Sequence, residues 1–267
     1  MMLGDMTKTK QRRLLREERH RQILQMLEES GRVTVEELID VLSVSAVTAR
    51  ADLDALAEAG ALVRSHGGGV RRVDPLVDYP VAIKETLHKQ EKVRIGAAAA
   101  ALIKPDQTII LDSGTTTAEI AREIRKQQMR ITVVTNALNI AGELANAPKV
   151  QVVMLGGLMR KPSGSMVGPQ AEASLKALSA DHLFLGVDAI DAKIGICTPD
   201  ILEAQLNELM ISVSREVTAV ADFSKFQRRS LSVISPVERL SRLITDTQTD
   251  AKAISELRSR GVEVVVV

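Results

Sequence analysis

The run Ile109-Ile110-Leu111-Asp112-Ser113-Gly114-Thr115-Thr116-Thr117 holds the chain's densest set of chemically useful groups. Three apolar residues end at an acid, a small-residue turn follows, and Ala118 to Ile124 continues with helical spacing. A strand that turns tightly into a helix gathers unpaired backbone N–H groups at the positive end of the helix dipole. With hydroxyls around them, such groups suit a phosphate. The same residues also suit a plain strand-to-helix turn in which the threonines act as caps, and the loop by itself leaves both readings open.

Around that loop, strand-like and helical runs alternate. The apolar runs 108–111, 131–134, 150–155, 182–187, 217–221, 243–245 and 262–267 are expected as strands. The segments 117–126, 137–145, 170–178, 199–214 and 251–260 carry helical patterns, and 81–103 reads as one helix ended by Pro105. Apolar strands alternating with amphipathic helices predict an α/β domain with a mostly parallel sheet covered on both faces. Ligands of such sheets bind beyond the carboxyl ends of the strands. Here those ends are Asp112 to Thr115, Thr135-Asn136, Gly156-Gly157, Asp188 with Asp191, and Asp222 with Ser224 and Lys225. Five polar ends point to a shared pocket for a phosphorylated polyhydroxyl compound. In it Ser113, Gly114, Thr115, Thr116 and Thr117 cradle the phosphate and Lys225 neutralises it. Asp188, Asp191, Glu203 and Asn136 bond hydroxyls, while Gly156 and Gly157 allow close backbone approach. Taken singly, Asp188 and Asp191 fit a local turn equally well, and Lys225 fits a surface lysine. Arg160 and Lys161 read as a solvated loop, His182 as structural and Cys197 as a small buried residue.

The first seventy residues have another character. A helix over 19–27 ends at Gly31, and Thr34-Val35-Glu36-Glu37 forms a capping box for a second helix. Ser43-Val44 turns the chain, and Ser45 to Leu56 forms a third helix that stops at Gly60. Two β-like runs around Gly67-Gly68-Gly69 then make a wing. The arrangement is a winged helix-turn-helix. Its DNA-contacting set is Thr34, Ser45, Val47, Thr48 and Arg50, with Arg64, Ser65, His66 and Gly67 in the wing. Arg reads guanine edges, and Ser and Thr reach phosphates or bases. Lys8, Lys10, Arg12, Arg13, Arg16, Arg19 and Arg21 add a basic arm. The resulting layout is a DNA-binding domain over 1–73, a linker over 74–80 with two prolines, and a sensing domain over 81–267.

Bulk composition narrows the classes. The 267 residues include no Trp, one Tyr and three Phe, too few rings for single-strand stacking. One cysteine and four scattered histidines exclude a disulfide framework and a metal cluster, so neither metal nor cofactor is expected. No apolar run approaches a membrane span and no apolar segment follows the basic N-terminus, which reads as a cytoplasmic protein without membrane partners.

Val44-Ser45-Ala46-Val47-Thr48-Ala49-Arg50-Ala51-Asp52-Leu53-Asp54-Ala55-Leu56, with Gly60 and Arg64-Ser65-His66-Gly67-Gly68-Gly69, resembles the signature of the DeoR family of bacterial repressors. The sequence departs from the family pattern at Ala49, usually isoleucine, and at Ala51, often polar, which would take two side chains off the reading helix. The second half resembles the same family through Leu111 to Thr117, Thr135-Asn136, Leu155-Gly156-Gly157, Leu185 to Asp191, Glu203-Ala204 and Ala221 to Phe226. The resemblance implies an effector domain akin to ribose-5-phosphate isomerase and glucosamine-6-phosphate deaminase that senses phosphorylated sugars. The run Leu183 to Asp191 is most similar to repressors of N-acetylgalactosamine and galactosamine use. The expected partners are therefore double-stranded operator DNA, a phosphorylated sugar that is an amino-sugar phosphate in that subgroup, and further copies of the chain in a homodimer or homotetramer. The rival reading is a sugar-phosphate isomerase or deaminase fused to a DNA-binding domain, since Asp188, Asp191 and Glu203 could supply a carboxylate base. Against it, no lysine rises at a glycine-rich loop after Asp191 to polarise a carbonyl, and Lys193 is too close in sequence for that task.

Overall fold

A computed structural model describes residues 15–58, 61–71 and 80–267. The chain divides into two compact units, residues 1–72 and 73–267. The connector expected at 74–80 lies outside the described residues except for Pro80, as do Lys8, Lys10, Arg12 and Arg13 of the basic arm and Gly60 after the third helix.

The first unit contains α1 (Arg16–Ser30), β1 (Arg32–Thr34), α2 (Val35–Leu42), α3 (Ala46–Glu58), β2 (Leu62–Ser65) and β3 (Gly68–Arg71). Gly31 ends α1 in the left-handed region at φ 74°, where its N–H reaches the Leu27 carbonyl. Ile23, Leu27, Leu38, Leu53 and Leu62 close one small core. The wing is three-stranded, because β1 pairs antiparallel with β3 beside the expected β2–β3 hairpin.

The second unit runs α4 (Val81–Thr86), α5 (Lys89–Ala100), β4 (Thr108–Leu111), α6 (Thr115–Gln127), β5 (Ile131–Thr135), α7 (Leu138–Leu144) and β6 (Val150–Met154). It continues with β7 (Leu158–Arg160), β8 (Ser165–Val167), α8 (Pro169–Lys176), β9 (Ala180–Gly186), β10 (Ala189–Asp191), β11 (Gly195–Thr198) and α9 (Ile201–Ser212). The last elements are β12 (Ser214–Val220), β13 (Ser232–Ser235), β14 (Arg242–Thr245), α10 (Ala251–Ser259) and β15 (Glu263–Val266). Seven strands form one parallel sheet in the order β15-β14-β12-β9-β4-β5-β6. Alternate residues along its strands feed two cores: Ile110, Leu183 and Leu185 one face, Ile109, Leu111 and Phe184 the other.

That strand order sets the position of any ligand. From β4 the chain steps outward to β5 and β6, then returns to β9 and proceeds the other way. The connections therefore diverge between the carboxyl ends of β4 and β9, opening a crevice at that point. Asp112 and Ser113 follow β4, and Gly186 to Asp188 close β9.

The single helix expected over 81–103 is two helices. Leu87 turns into the core and His88 adopts φ 50°, breaking the run between α4 and α5. The break holds because the buried Lys92 ammonium donates to the carbonyls of Lys84 and Leu87, standing in for lost helical bonds, while the His88 ring meets Phe223 edge-on at 4.8 Å. The alanine-rich end of α5 packs tightly on α6: a Cβ at Gly96 would lie 2.5 Å from Glu119 Cβ. Two small antiparallel units, β7–β8 and β10-β11-β13, interrupt the expected alternation.

Candidate functional site

The crevice between β4 and β9 is a small cleft of about 60 Å³. Three groups of residues build it. The first is the turn after β4, where Ser113, Gly114, Thr115 and Thr116 line the wall as α6 begins. The second is acidic: Asp112, Asp188 and Glu203. The third is cationic and comes from three separate elements: Lys84 of α4, Lys92 of α5 and Lys225 beyond β12.

Asp112 is buried and accepts a 2.9 Å bond from the Gly186 N–H, which ties β4 to β9 at the switch point. Burial drives its carboxyl well above the ordinary range, and Glu203 and Asp188 add to that against the Gly186 bond. Glu203 is also raised, by burial first and Asp188 next, with Arg160 and the Thr198 hydroxyl opposing. Its carboxylate oxygens accept from Ser113 Oγ at 3.0 Å and Thr198 Oγ1 at 2.7 Å, and Arg160 Nη1 lies at 3.1 Å. Asp188 behaves oppositely. Burial would raise it, but Lys84 at 2.8 Å and Lys225 at 3.8 Å outweigh burial and hold it ionised. Asp222 follows the same rule: burial is overcome by Lys225, Lys92 and His88, and its Oδ2 is buried without a hydrogen-bond partner.

Of the residues read from the sequence for this pocket, Asp112, Ser113, Gly114, Thr115, Thr116, Asp188, Glu203 and Lys225 line the cleft together. The others are placed elsewhere. Thr117 is fully buried, and its hydroxyl donates back to the Gly114 carbonyl. Asn136 donates from Nδ2 to the Met166 carbonyl on β8 at 3.0 Å, while its Oδ1 is buried without a partner. Gly157 serves packing: at φ 134° a Cβ would stand 2.5 Å from the Val167 carbonyl oxygen, and neither it nor Gly156 reaches the cleft. Asp191 ends β10, and its Oδ1 caps the N–H groups of Lys193 and Ile194, so the turn reading describes it. Arg160 is not in a solvated loop. It is buried between Asp200 at 3.2 Å and Glu203. His182 bonds Thr218 Oγ1 at 2.8 Å within the sheet, and burial pulls its pKa down to about 4.

The cleft also holds residues that the sequence reading passed over: Lys84, Lys92, Thr198 and Asn207. Lys92 had a legible signal, since it shares the face of α5 that buries Ile95, Gly96 and Ala99, where a lysine is anomalous. Asn207 lies in the middle of α9, almost fully buried, with its Oδ1 unpartnered. Lys84 had no such signal, because Asp188 is 104 positions away.

In the first unit, Ser45 starts α3 with its hydroxyl 2.9 Å from Thr48 Oγ1 and accepting the Thr48 N–H. Val47 is 75 % exposed, and Arg50 is exposed without a hydrogen bond or ion pair among the described residues. These four therefore stand at the start of a helix on its solvent side. Thr34 forms the capping box with Glu37, which occupies its hydroxyl and N–H. His66 and Gly67 form the exposed wing tip, Gly67 at φ 78°, and Ser65 lies at the end of β2. Arg64 pairs with the exposed Asp54 at 2.8 Å and donates to the Gly68 carbonyl. Ala49 is fully buried, so its departure from the family pattern changes the core and not the reading surface, whereas Ala51 is exposed. Arg19 of the expected basic arm is instead paired to the buried Asp52, by Nε at 2.6 Å and Nη2 at 2.9 Å.

Among the described residues, no group of three or more His, Cys, Asp or Glu is set to hold a metal ion, and no helix is long and apolar enough to cross a membrane.

Comparison with known proteins gives two family matches. Residues 19–74 match the DeoR-like helix-turn-helix domain, and residues 87–247 match the DeoR C terminal sensor domain. A candidate aga operon transcriptional repressor of Escherichia coli O157:H7 is 42% identical over 252 residues, covering 94% of this chain and 93% of that protein. The HTH-type transcriptional regulator GlpR of Haloferax volcanii is 36% identical, covering 94% and 98%. The transcriptional repressor AccR of Agrobacterium fabrum is 33% identical, covering 87% and 90%. Among solved structures, ribose 5-phosphate isomerase A of Methanocaldococcus jannaschii aligns with a TM-score of 0.39 at 16% identity over 52% of this chain and 54% of that one, too loose a likeness to carry an assignment.

Proposed function

Because the chain belongs to the DeoR family of DNA-binding transcriptional repressors with a small-molecule sensor domain, we propose that its effector is a phosphorylated sugar bound in the cleft between β4 and β9. The observation that carries this reading is the meeting of the α6 N-terminal turn with lysines from separate elements at the switch point. The N–H groups of Ser113 to Thr116 and the hydroxyls of Thr115 and Thr116 form the anion cradle. Lys225 and Lys84 supply charge, and both already face Asp188. Asp188, Asp112 and Glu203 then bond sugar hydroxyls, Asp188 held low in pKa by its lysines and the other two raised by burial. The Escherichia coli relative is named for the aga operon, which favours an amino-sugar phosphate of the galactosamine type, for which ionised Asp188 is the partner of an ammonium.

The operator is read by α3 through Ser45, Val47, Thr48 and Arg50, with His66 and Gly67 of the wing on the backbone. Two or four copies act together, since a winged helix reads one half-site. The effector must bind the operator-free arrangement more tightly than the bound one, because only that difference shifts the population. The isomerase or deaminase reading is not favoured: the relatives are named regulators, and Glu203 is tied down by Ser113, Thr198 and Arg160.

The test is a gel shift on the DNA upstream of the protein's own gene, titrated with hexose and hexosamine 6-phosphates, their unphosphorylated sugars, and turnover measured in parallel. Release by the phosphorylated compounds alone, without product, is expected, and Thr116→Val should weaken it. Equal release by the free sugars, or measurable turnover, overturns the reading.

A further inference from the structure

The solvent side of α3 is a single stripe. Val47, Arg50, Ala51 and Asp54 are exposed, while Ala49, Asp52, Leu53 and Leu56 are buried. Positions three, four and seven apart share one helix face, so these four side chains stand in a row. Asp54, at the far end, is paired to Arg64. The two hydroxyls at the helix start are engaged with each other: Ser45 Oγ accepts the Thr48 N–H at 3.2 Å and lies 2.9 Å from Thr48 Oγ1. Val47, Arg50 and Ala51 are left to meet a base edge, and two of these three are apolar.

Val47 is 75% exposed, more than any other large hydrophobic side chain among the described residues. A lone exposed valine is ordinary. This one stands one turn before Ala51 and beside Arg50, on the face turned away from the small core, which closes without it. A β-branched side chain also does nothing for the helix at that position. In the major groove the apolar group offered at a base edge is the thymine C5-methyl; the remaining edge groups are hydrogen-bond donors and acceptors. Valine laid against those would desolvate them without a partner. We propose that Val47 packs on a thymine C5-methyl, with the small Ala51 letting the helix approach, so that each half-site carries a thymine beside the guanine read by Arg50. What this face recognises is the methyl itself and not the hydrogen-bonding pattern of the A·T pair. The inference rests on the operator reading above and names the base group that α3 selects. Covering one methyl corresponds to about a fourfold gain in affinity.

Footprinting of the full-length protein on the DNA upstream of its own gene defines the half-site. Each thymine of that half-site is then replaced in turn by uracil, which keeps every hydrogen-bonding group and lacks only the methyl. Affinity is read by fluorescence anisotropy for wild type, Val47→Ala, Val47→Thr and Arg50→Ala. Wild type should lose about fourfold at one or two thymines of each half-site. Val47→Ala should bind the thymine DNA about as weakly as wild type binds the uracil DNA, and should be indifferent to the replacement at one of those positions. Val47→Thr, which keeps the branched shape and one methyl, should lie between the two. Arg50→Ala should bind more weakly overall yet still respond to the methyl. Where the sensitive T·A pair is changed to C·G, 5-methylcytosine in place of cytosine should recover about fourfold for wild type and nothing for Val47→Ala. Wild-type affinity unchanged by uracil at every thymine overturns this inference alone, and so does an equal loss in wild type and Val47→Ala at every position. Absence of any footprint overturns the operator reading along with it. If Val47→Ala melts below wild type, the wild-type uracil series and Val47→Thr carry the test.

Discussion

Replacing Asp52 by alanine tests how the DNA-reading unit is held together. Its carboxylate lies under α3 and receives Arg19 Nε at 2.6 Å, Arg19 Nη2 at 2.9 Å and His20 Nε2 at 3.2 Å, which ties α1 to α3. The Asp52 side chain is 3% exposed and that of Arg19 14%. Removing one partner of a buried pair strands the other charge, at roughly 3–5 kcal/mol. Arg19 keeps some access to water, so the lower figure of about 3 kcal/mol applies. A 72-residue unit has a total stability of roughly 4–11 kcal/mol, so about a quarter to three quarters of its margin goes. At roughly 4–8 °C per kcal/mol for a domain of this size, its melting temperature should fall by about 12–24 °C. Circular dichroism follows the transition, and fluorescence anisotropy with labelled operator DNA follows binding; operator affinity should collapse while effector binding in the second unit persists. The pH sign is also set. Burial would raise the Asp52 pKa, but Arg19 and His20 hold it below its ordinary value, so its stabilising effect is complete above that ordinary value and disappears as pH falls through the lowered one. A fall of under about 5 °C, the size expected of a solvent-screened surface pair, would refute the argument that this pair is buried and structural.

Three further outcomes follow from the geometry. Arg50→Ala should weaken operator binding by about 1–3 kcal/mol and leave the melting temperature unchanged, because the exposed side chain has no partner to lose; unchanged affinity in anisotropy would remove it from the reading surface. Asp112→Asn should be tolerated and should gain on wild type as pH rises: the folded carboxyl keeps a proton that the unfolded chain releases, so wild-type stability declines with pH where the amide does not. Melts across pH 4–8 that stay parallel would show that the acid is not raised. Asp191→Asn should leave sugar-phosphate affinity intact, since its carboxylate caps Lys193 and Ile194, whereas Asp188→Asn should change it; calorimetry on the pair checks both.

The elements and their approximate order were legible because they depend on local pattern. Strand 108–111, the Asp112–Thr116 turn, the Thr34–Glu37 capping box and the third helix starting at Ser45 each declare themselves within a few residues. Family resemblance rests on the same short runs. The helix break at His88 was illegible, since nothing near it interrupts the helical pattern; it is held by Lys92 reaching back to two carbonyls and by Phe223 from a distant strand end. Polar residues at strand ends looked equivalent in the sequence, yet only those after β4 and β9, joined by Lys225 after β12, share a cleft. Asp188 and Asp191 are three residues apart, and the β10–β11 turn sends one to the lysines and the other to its own backbone. Sequence alone therefore determined that this chain joins a DNA-reading module to an α/β sensor with polar strand ends. Tertiary structure decided which of those ends converge and which lysines meet Asp188, because partners 104 positions apart in the chain are brought together by the order of strands and not by any local pattern.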